Sequence, residues 1–246
     1  METKPTLRTL ILLPGLLCDA TAWSQQCESL APIASCHVPS YGNINHIEAM
    51  ADHVLASAPA KRFALAGHSM GGRVALEIVR KAPQRVERLC LLDTGFEPIS
   101  SALKEEERKS RYALLSEAKA NGMRAMGRRW AHGMVHHDHL NSSLFENILD
   151  MIERASISTF EAQIQALLHR PDASDLLPSI KLPTLLLCGS ADTWSPPSRH
   201  EVMRAAIPGA RLTLIPNSGH MTTMEQAESV SAELATWLDG STEAIA

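Results

Sequence analysis

Short apolar runs, several of them without polar alternation, recur along the chain at residues 7–13, 36–39, 62–66, 89–93, 184–189 and 211–215. A strand that reads apolar throughout is one covered on both faces, which is the setting of a parallel sheet. Between most of these runs the apolar positions return at helical spacing, over residues 47–57, 72–81, 198–206 and 223–239. This alternation predicts an α/β fold, a mostly parallel sheet of about six strands with helices on both faces. In such a sheet ligands bind beyond the carboxyl ends of the strands. The run at 36–39 is the weakest of the six. Thr222-Thr223-Met224-Glu225 has the form of a capping box and is expected to open the last helix.

The alternation breaks between Glu97 and Ile180. This stretch is charged, rich in Met and Arg and helical in pattern, with helices expected near residues 101–121, 123–136, 142–155 and 159–168. Leu103, Leu114 and Leu115, then Ile148, Leu149, Met151 and Ile152, supply its apolar faces. Strands resume directly afterwards, across Pro171, Pro178 and Pro183, so the segment reads as an insertion. The expected organisation is a core of residues 1–96 and 181–246, with residues 97–180 as a helical lid.

Composition narrows the function. The 246 residues are 45% hydrophobic, enough for one α/β core with one insertion. A formal net charge of −4 leaves no basic footprint for nucleic acid and gives no support for docking on anionic membranes. No apolar stretch approaches the roughly 20 residues that cross a bilayer. Met1–Thr6 runs into the first strand pattern without a cleavable-signal form. The cysteines (Cys18, Cys27, Cys36, Cys90 and Cys188) are odd in number and lack metal-site spacing. A reducing cytoplasm is the expected compartment.

The chemistry is carried by three segments. Gly67-His68-Ser69-Met70-Gly71-Gly72 joins the strand pattern at 62–66 to a helix, placing a serine on a sharp turn with its hydroxyl exposed at the sheet edge. A serine hydroxyl needs a base to take its proton. Residues 185–197, LLLCGSADTWSPP, place Asp192 just past a strand, and residues 212–220, LTLIPNSGH, place His220 just past the next. All three fall on one edge of the sheet, in the order Ser, Asp, His. Asp93, at the end of the 89–93 run, is the rival acid.

These segments resemble the α/β-hydrolase superfamily, and in particular its lidded serine-esterase branch, which includes methyl esterases of carrier-bound acyl chains and enol-lactonases. GHSMGG is similar to the nucleophile elbow, GSADTWSPP to the acid loop and NSGHMTTME to the histidine loop. Leu13-Pro14-Gly15-Leu16-Leu17 resembles the oxyanion loop, with Pro14-Gly15 where many relatives have His-Gly. The resemblance implies Ser69 as nucleophile, His220 as base and Asp192 as its acid, with an oxyanion hole from the backbone N–H groups of Met70 and Leu16. Leu17, Trp130, Trp194, Met221 and Trp23 are the candidates for an apolar acyl pocket, and Arg124, Arg128 and Arg129 for meeting an acidic group or carrier protein. It implies no cofactor. His132, His136, His137 and His139 lack the H-E-x-x-H form and a nearby carboxylate pair, so no metal is expected. The expected activity is cleavage of a small or medium acyl ester, free or carrier-linked, through an acyl-enzyme. The alternatives are lactone opening, C–C bond or thioester cleavage and an elimination on the same groups, or a non-catalytic small-molecule receptor.

Overall fold

The computed structural model describes residues 7–240, so the reading of Met1–Thr6 lies outside it. Six strands, β1 (Arg8–Leu13), β2 (Ala34–His37), β3 (Phe63–His68), β4 (Val86–Leu92), β5 (Thr184–Gly189) and β6 (Arg211–Ile215), form one sheet in the order β2-β1-β3-β4-β5-β6. Every pairing between them is parallel. β3 and β5 are buried at every residue, as their apolar sequences require, while β2 and β6 sit at the edges and are buried only in part. That explains the weak run at 36–39. An edge strand needs few apolar residues, and β2 pairs from Ala34 rather than from the apolar positions further on.

Helices α1 (Ser24–Leu30), α2 (Ile47–Ser57), α3 (Met70–Lys81), α8 (Pro197–Ala206), α9 (Thr222–Glu225) and α10 (Ala227–Asp239) belong to this core. They cover both faces of the sheet, with α2 packed on α3 and α1 on α10. α1 escapes the hydrophobic pattern because it is anchored by an amide rather than an apolar stripe. Its buried Gln26 donates to the carbonyls of Thr223 and Ala227. The first of those bonds occupies a carbonyl that a continuous helix would have spent on residue 227, and the helix expected over 223–239 breaks at Gln226 into α9 and α10. The capping box is accordingly altered. The cap residue is Met221, and the Thr222 hydroxyl donates to the Gly219 carbonyl instead of accepting from the helix.

Between β4 and β5 lie α4 (Lys104–Asn121), α5 (Met123–Ala131), α6 (Ser143–Arg154) and α7 (Ile157–Leu168). Gly122, at φ +88, separates α4 from α5, a backbone angle that favours glycine. Ser142 and Ser156 cap α6 and α7 by accepting from Phe145 and Thr159. The helix expected over 123–136 stops at Ala131, so His132 and His136 do not share a helical face; turns and a short 3-10 segment, His137–His139, follow it.

The order reverses between β1 and β3, so the loop after β1 and the turn after β3 meet over the crevice where ligands bind in open α/β sheets. Their approach is very close. A Cβ on Gly71 would lie 2.2 Å from the carbonyl oxygen of Leu13. Gly71→Ala is therefore expected to force β1 and α3 apart and to destabilise the chain by about 1–3 kcal/mol, read as a lower urea midpoint.

Candidate active site

The turn at Ser69 is held by its own backbone. Ser69 adopts φ 54 and ψ −116, a conformation that costs a non-glycine residue about 1–3 kcal/mol. Its N–H donates to the Leu92 carbonyl at 2.9 Å, and its carbonyl accepts from Thr94 Oγ1 at 2.6 Å and from the Gly72 N–H at 3.0 Å. Thr94 is fixed in turn, its amide donating to Nε2 of buried His200 at 3.2 Å. Strand, helix and the β4 loop all grip the main chain of this residue. The side chain is what remains free.

Ser69 Oγ donates to His220 Nε2 at 2.9 Å, and His220 Nδ1 donates to Asp192 Oδ2 at 2.8 Å. Because the carboxylate only accepts, the proton of the neutral ring must sit on Nδ1, leaving Nε2 as the acceptor that faces the serine. Asp192 Oδ1 accepts from the amides of Trp194 and Ser195 at 2.8 and 2.9 Å. Burial alone would raise the Asp192 carboxyl, but the attraction of His220 and these hydrogen bonds hold it below its ordinary value. Burial opposes the charging of His220, yet the charge and hydrogen bond of Asp192, with Glu225 behind it, raise it above 6.5. The Trp194 ring lies 5.1 Å from that of His220 and 5.2 Å from that of Trp130.

Asp93, the rival acid, points elsewhere. Its Oδ1 accepts from the Gly189 amide at 2.9 Å, and Oδ2 lies 3.8 Å from His68 Nε2. Burial first, then the neighbouring Asp192, push its carboxyl up to about 8, so it is largely protonated at neutral pH. His68 is buried too. Its Nε2 donates to the His220 carbonyl at 2.7 Å, and desolvation, reinforced by His220, brings it down to about 4. Asp192 is thus the ionised carboxylate that reaches the His220 ring.

The histidine loop rests on Glu225, the carboxylate of the expected capping box. Buried Glu225 accepts from the amides of Gly219 (3.0 and 3.1 Å) and Met221 (3.0 Å) on either side of His220, and from His136 at 2.7 Å. The His220 amide itself donates to the Met134 carbonyl at 2.6 Å. The T-T-M-E string carried the signal, since a carboxylate reaching backbone amides was expected there, but not its target. His68, Thr94 and Gln163 left no pattern at all.

Ser69, His220, Leu16, Met70, Trp130, Trp194 and Met221 line one cavity of about 920 Å³. Among the described residues neither the Leu16 nor the Met70 amide donates to another protein group. Leu17 is different from its expectation. It is buried outside the cavity lining, at φ 59, with its amide given to Gln163 Oε1 of α7 at 2.8 Å. Trp23 is likewise core, with no exposed surface. Arg124, Arg128 and Arg129 are spent on neighbours: Arg124 pairs with Glu146, Asp150 and Glu153, Arg128 with Glu146, and Arg129 with Glu117. Two groups of side chains have metal-ligand proximity, exposed His137 and Asp138 with half-buried His136, and buried Asp93, Cys188 and Asp192. In the second, Asp192 is already engaged by His220.

Over residues 20–227 the chain matches the family model for the alpha/beta hydrolase fold, and it belongs to that family. Among curated proteins it is 25% identical to a pimeloyl-[acyl-carrier protein] methyl ester esterase of Neisseria meningitidis, covering 85% of this chain and 84% of that protein. Among solved structures it is similar to a thermophilic esterase from Thermogutta terrifontis (29% identity, TM-score 0.83, 96% of this chain and 91% of the other). It shares the fold of an enol-lactonase from Burkholderia xenovorans LB400 (19% identity, TM-score 0.83, 95% and 92% covered). Esterases thus stand among its relatives, and among the described residues no helix is long and apolar enough to cross a membrane.

The upward shift of His220 has a direct test. Its imidazole proton resonances are expected to titrate with a midpoint above 6.5, and Asp192→Asn should move that midpoint down, because burial then acts without the opposing charge. An unchanged midpoint in the variant would remove Asp192 as the cause.

Proposed function

We propose that this hydrolase-fold chain is a serine esterase that cleaves a small or medium acyl ester through an acyl-enzyme. The reading rests on one observation, the unbroken hydrogen-bonded series from Ser69 Oγ through the His220 ring to Asp192. As Ser69 attacks the ester carbonyl, His220 Nε2 takes its proton, and Asp192 stabilises the imidazolium that forms. The N–H groups of Leu16 and Met70 receive the charge on the tetrahedral intermediate, and one such donor is worth roughly 3–4 kcal/mol in comparable sites. His220 then returns the proton to the leaving alcohol, and water, activated by the same nitrogen, releases the acid.

Residues 97–180 act as the lid over this site, bringing Trp130 and Met134 to the cavity that also holds Trp194 and Met221. The methyl ester esterase relatives support an ester presented on a carrier protein as well as a free one. Five free thiols, two of them buried in β4 and β5, fit a reducing cytoplasm.

Ser69→Ala is expected to lower kcat for p-nitrophenyl butyrate by about 10⁴-fold or more, with the thermal melt preserved. A fluorophosphonate probe should label the wild type at Ser69. Labelling without turnover of any ester, lactone or thioester would instead favour a receptor. With a neutral ester, kcat/KM is expected to fall as the pH drops through a midpoint above 6.5, because protonated His220 cannot accept the serine proton. A flat profile down to pH 5 with chemistry rate-limiting would remove His220 from the base role.

A further inference from the structure

The cavity that holds Ser69 is also lined by four arginines, Arg73, Arg111, Arg170 and Arg199, and their charges are unequally matched. Glu107 takes two of them, lying 2.8 Å from Arg111 and 2.6 Å from Arg170. Arg199 lies 3.3 Å from Glu97. Arg73 makes no ion pair among the described residues; its one hydrogen bond there runs from Nη1 to the Glu97 carbonyl at 2.8 Å. Among the described residues, Nε and Nη2 of this half-buried guanidinium find no acceptor. Even with exposed Glu106 counted at the rim, three carboxylates face four guanidinium groups along the cavity wall.

The protonation of Arg73 reports the same imbalance. Burial, then the charges of Arg170 and Arg199, pull the group down from 12.5, and Glu97 and Glu107 only partly oppose them. It remains charged at neutral pH, in surroundings that disfavour its charge. An anion bound there would relieve that cost and fill the idle donors of a planar fork. The placement is also suitable. Arg73 stands on the first turn of α3, which opens directly after Ser69, and both residues line the same cavity.

We propose that the acyl chain of the substrate ends in an anionic oxygen group, a carboxylate or a phosphate, held by Arg73. This rests on the esterase reading and names the substrate class for it. It also moves the anion-binding role from Arg124, Arg128 and Arg129, all spent on neighbouring carboxylates, to an arginine inside the cavity. The plain alternative is that Arg73 merely ties down the backbone at Glu97.

The test compares mono-p-nitrophenyl adipate with its methyl-capped neutral counterpart, both read by p-nitrophenol release. The wild type is expected to favour the anionic ester by about 10- to 100-fold in kcat/KM. In Arg73→Gln that selectivity should collapse toward one, chiefly through a higher KM for the anionic ester, and Arg73→Lys should restore part of it. Equal rates for the two esters in the wild type, or an equal loss on both in Arg73→Gln, would overturn the proposal in favour of a structural tie. Adipate and 4-phosphonobutyrate as competitive inhibitors of the neutral ester then separate carboxylate from phosphate, the tighter one naming the group. If the wild type hydrolyses neither ester, the esterase reading fails on its own. Calorimetry of adipate binding, present in the wild type and absent in Arg73→Gln, still decides the anion site.

Discussion

The chain's chemistry depends on how closely β1 and the first turn of α3 approach. Gly71 lies against the Leu13 carbonyl with no room for a side chain. That contact brings the loop after β1, with Leu16, to the same crevice as Ser69 and the Met70 amide. The tight turn also requires Ser69 to take a positive φ, and the gripping of its backbone by Leu92, Thr94 and Gly72 offsets the cost. With its main chain immobilised, the half-buried serine presents its hydroxyl to the cavity.

A second constraint joins the inserted helices to the core. Gln163 of α7 holds the Leu17 amide, Met134 accepts from the His220 amide, and Glu225 bridges His136 to both neighbours of His220. The insertion is thus stitched to the β1 loop and to the histidine loop by hydrogen bonds that backbone amides donate to Gln163, Met134 and Glu225. The geometry at His220 is in this sense built jointly by the core and the insertion.

Charge is arranged with similar economy. Burial keeps His68 and His200 neutral, each down to about 4, and keeps Asp93 protonated to about 8. Around the reacting groups, then, Asp192 carries the negative charge that His220 feels most directly. The wall beyond, with its excess of guanidinium groups, has the opposite sign.

The strand pattern, the serine turn and the positions of Asp192 and His220 were all readable from residue order, because each is a local matter of apolar runs, glycine at a tight turn and polar residues just past strand ends. The edge strand β2, the amide-anchored α1 and the break at Gln226 were not, because edge position and a buried Gln26 are properties of what packs nearby. Among arginines, spacing could name Arg124, Arg128 and Arg129 but not see that Glu146, Asp150, Glu153 and Glu117 neutralise them. Residue order already favoured Asp192 over Asp93 as the acid, and the tertiary structure supplies the physical reason, the contact of Asp192 with the His220 ring. Residue order therefore determined which side-chain types stand at those few turns, since glycine and polar residues at strand ends are local features. Only the tertiary structure decided which carboxylate stays ionised and which arginine lacks an ion pair among the described residues, since both depend on burial and on partners distant along the chain.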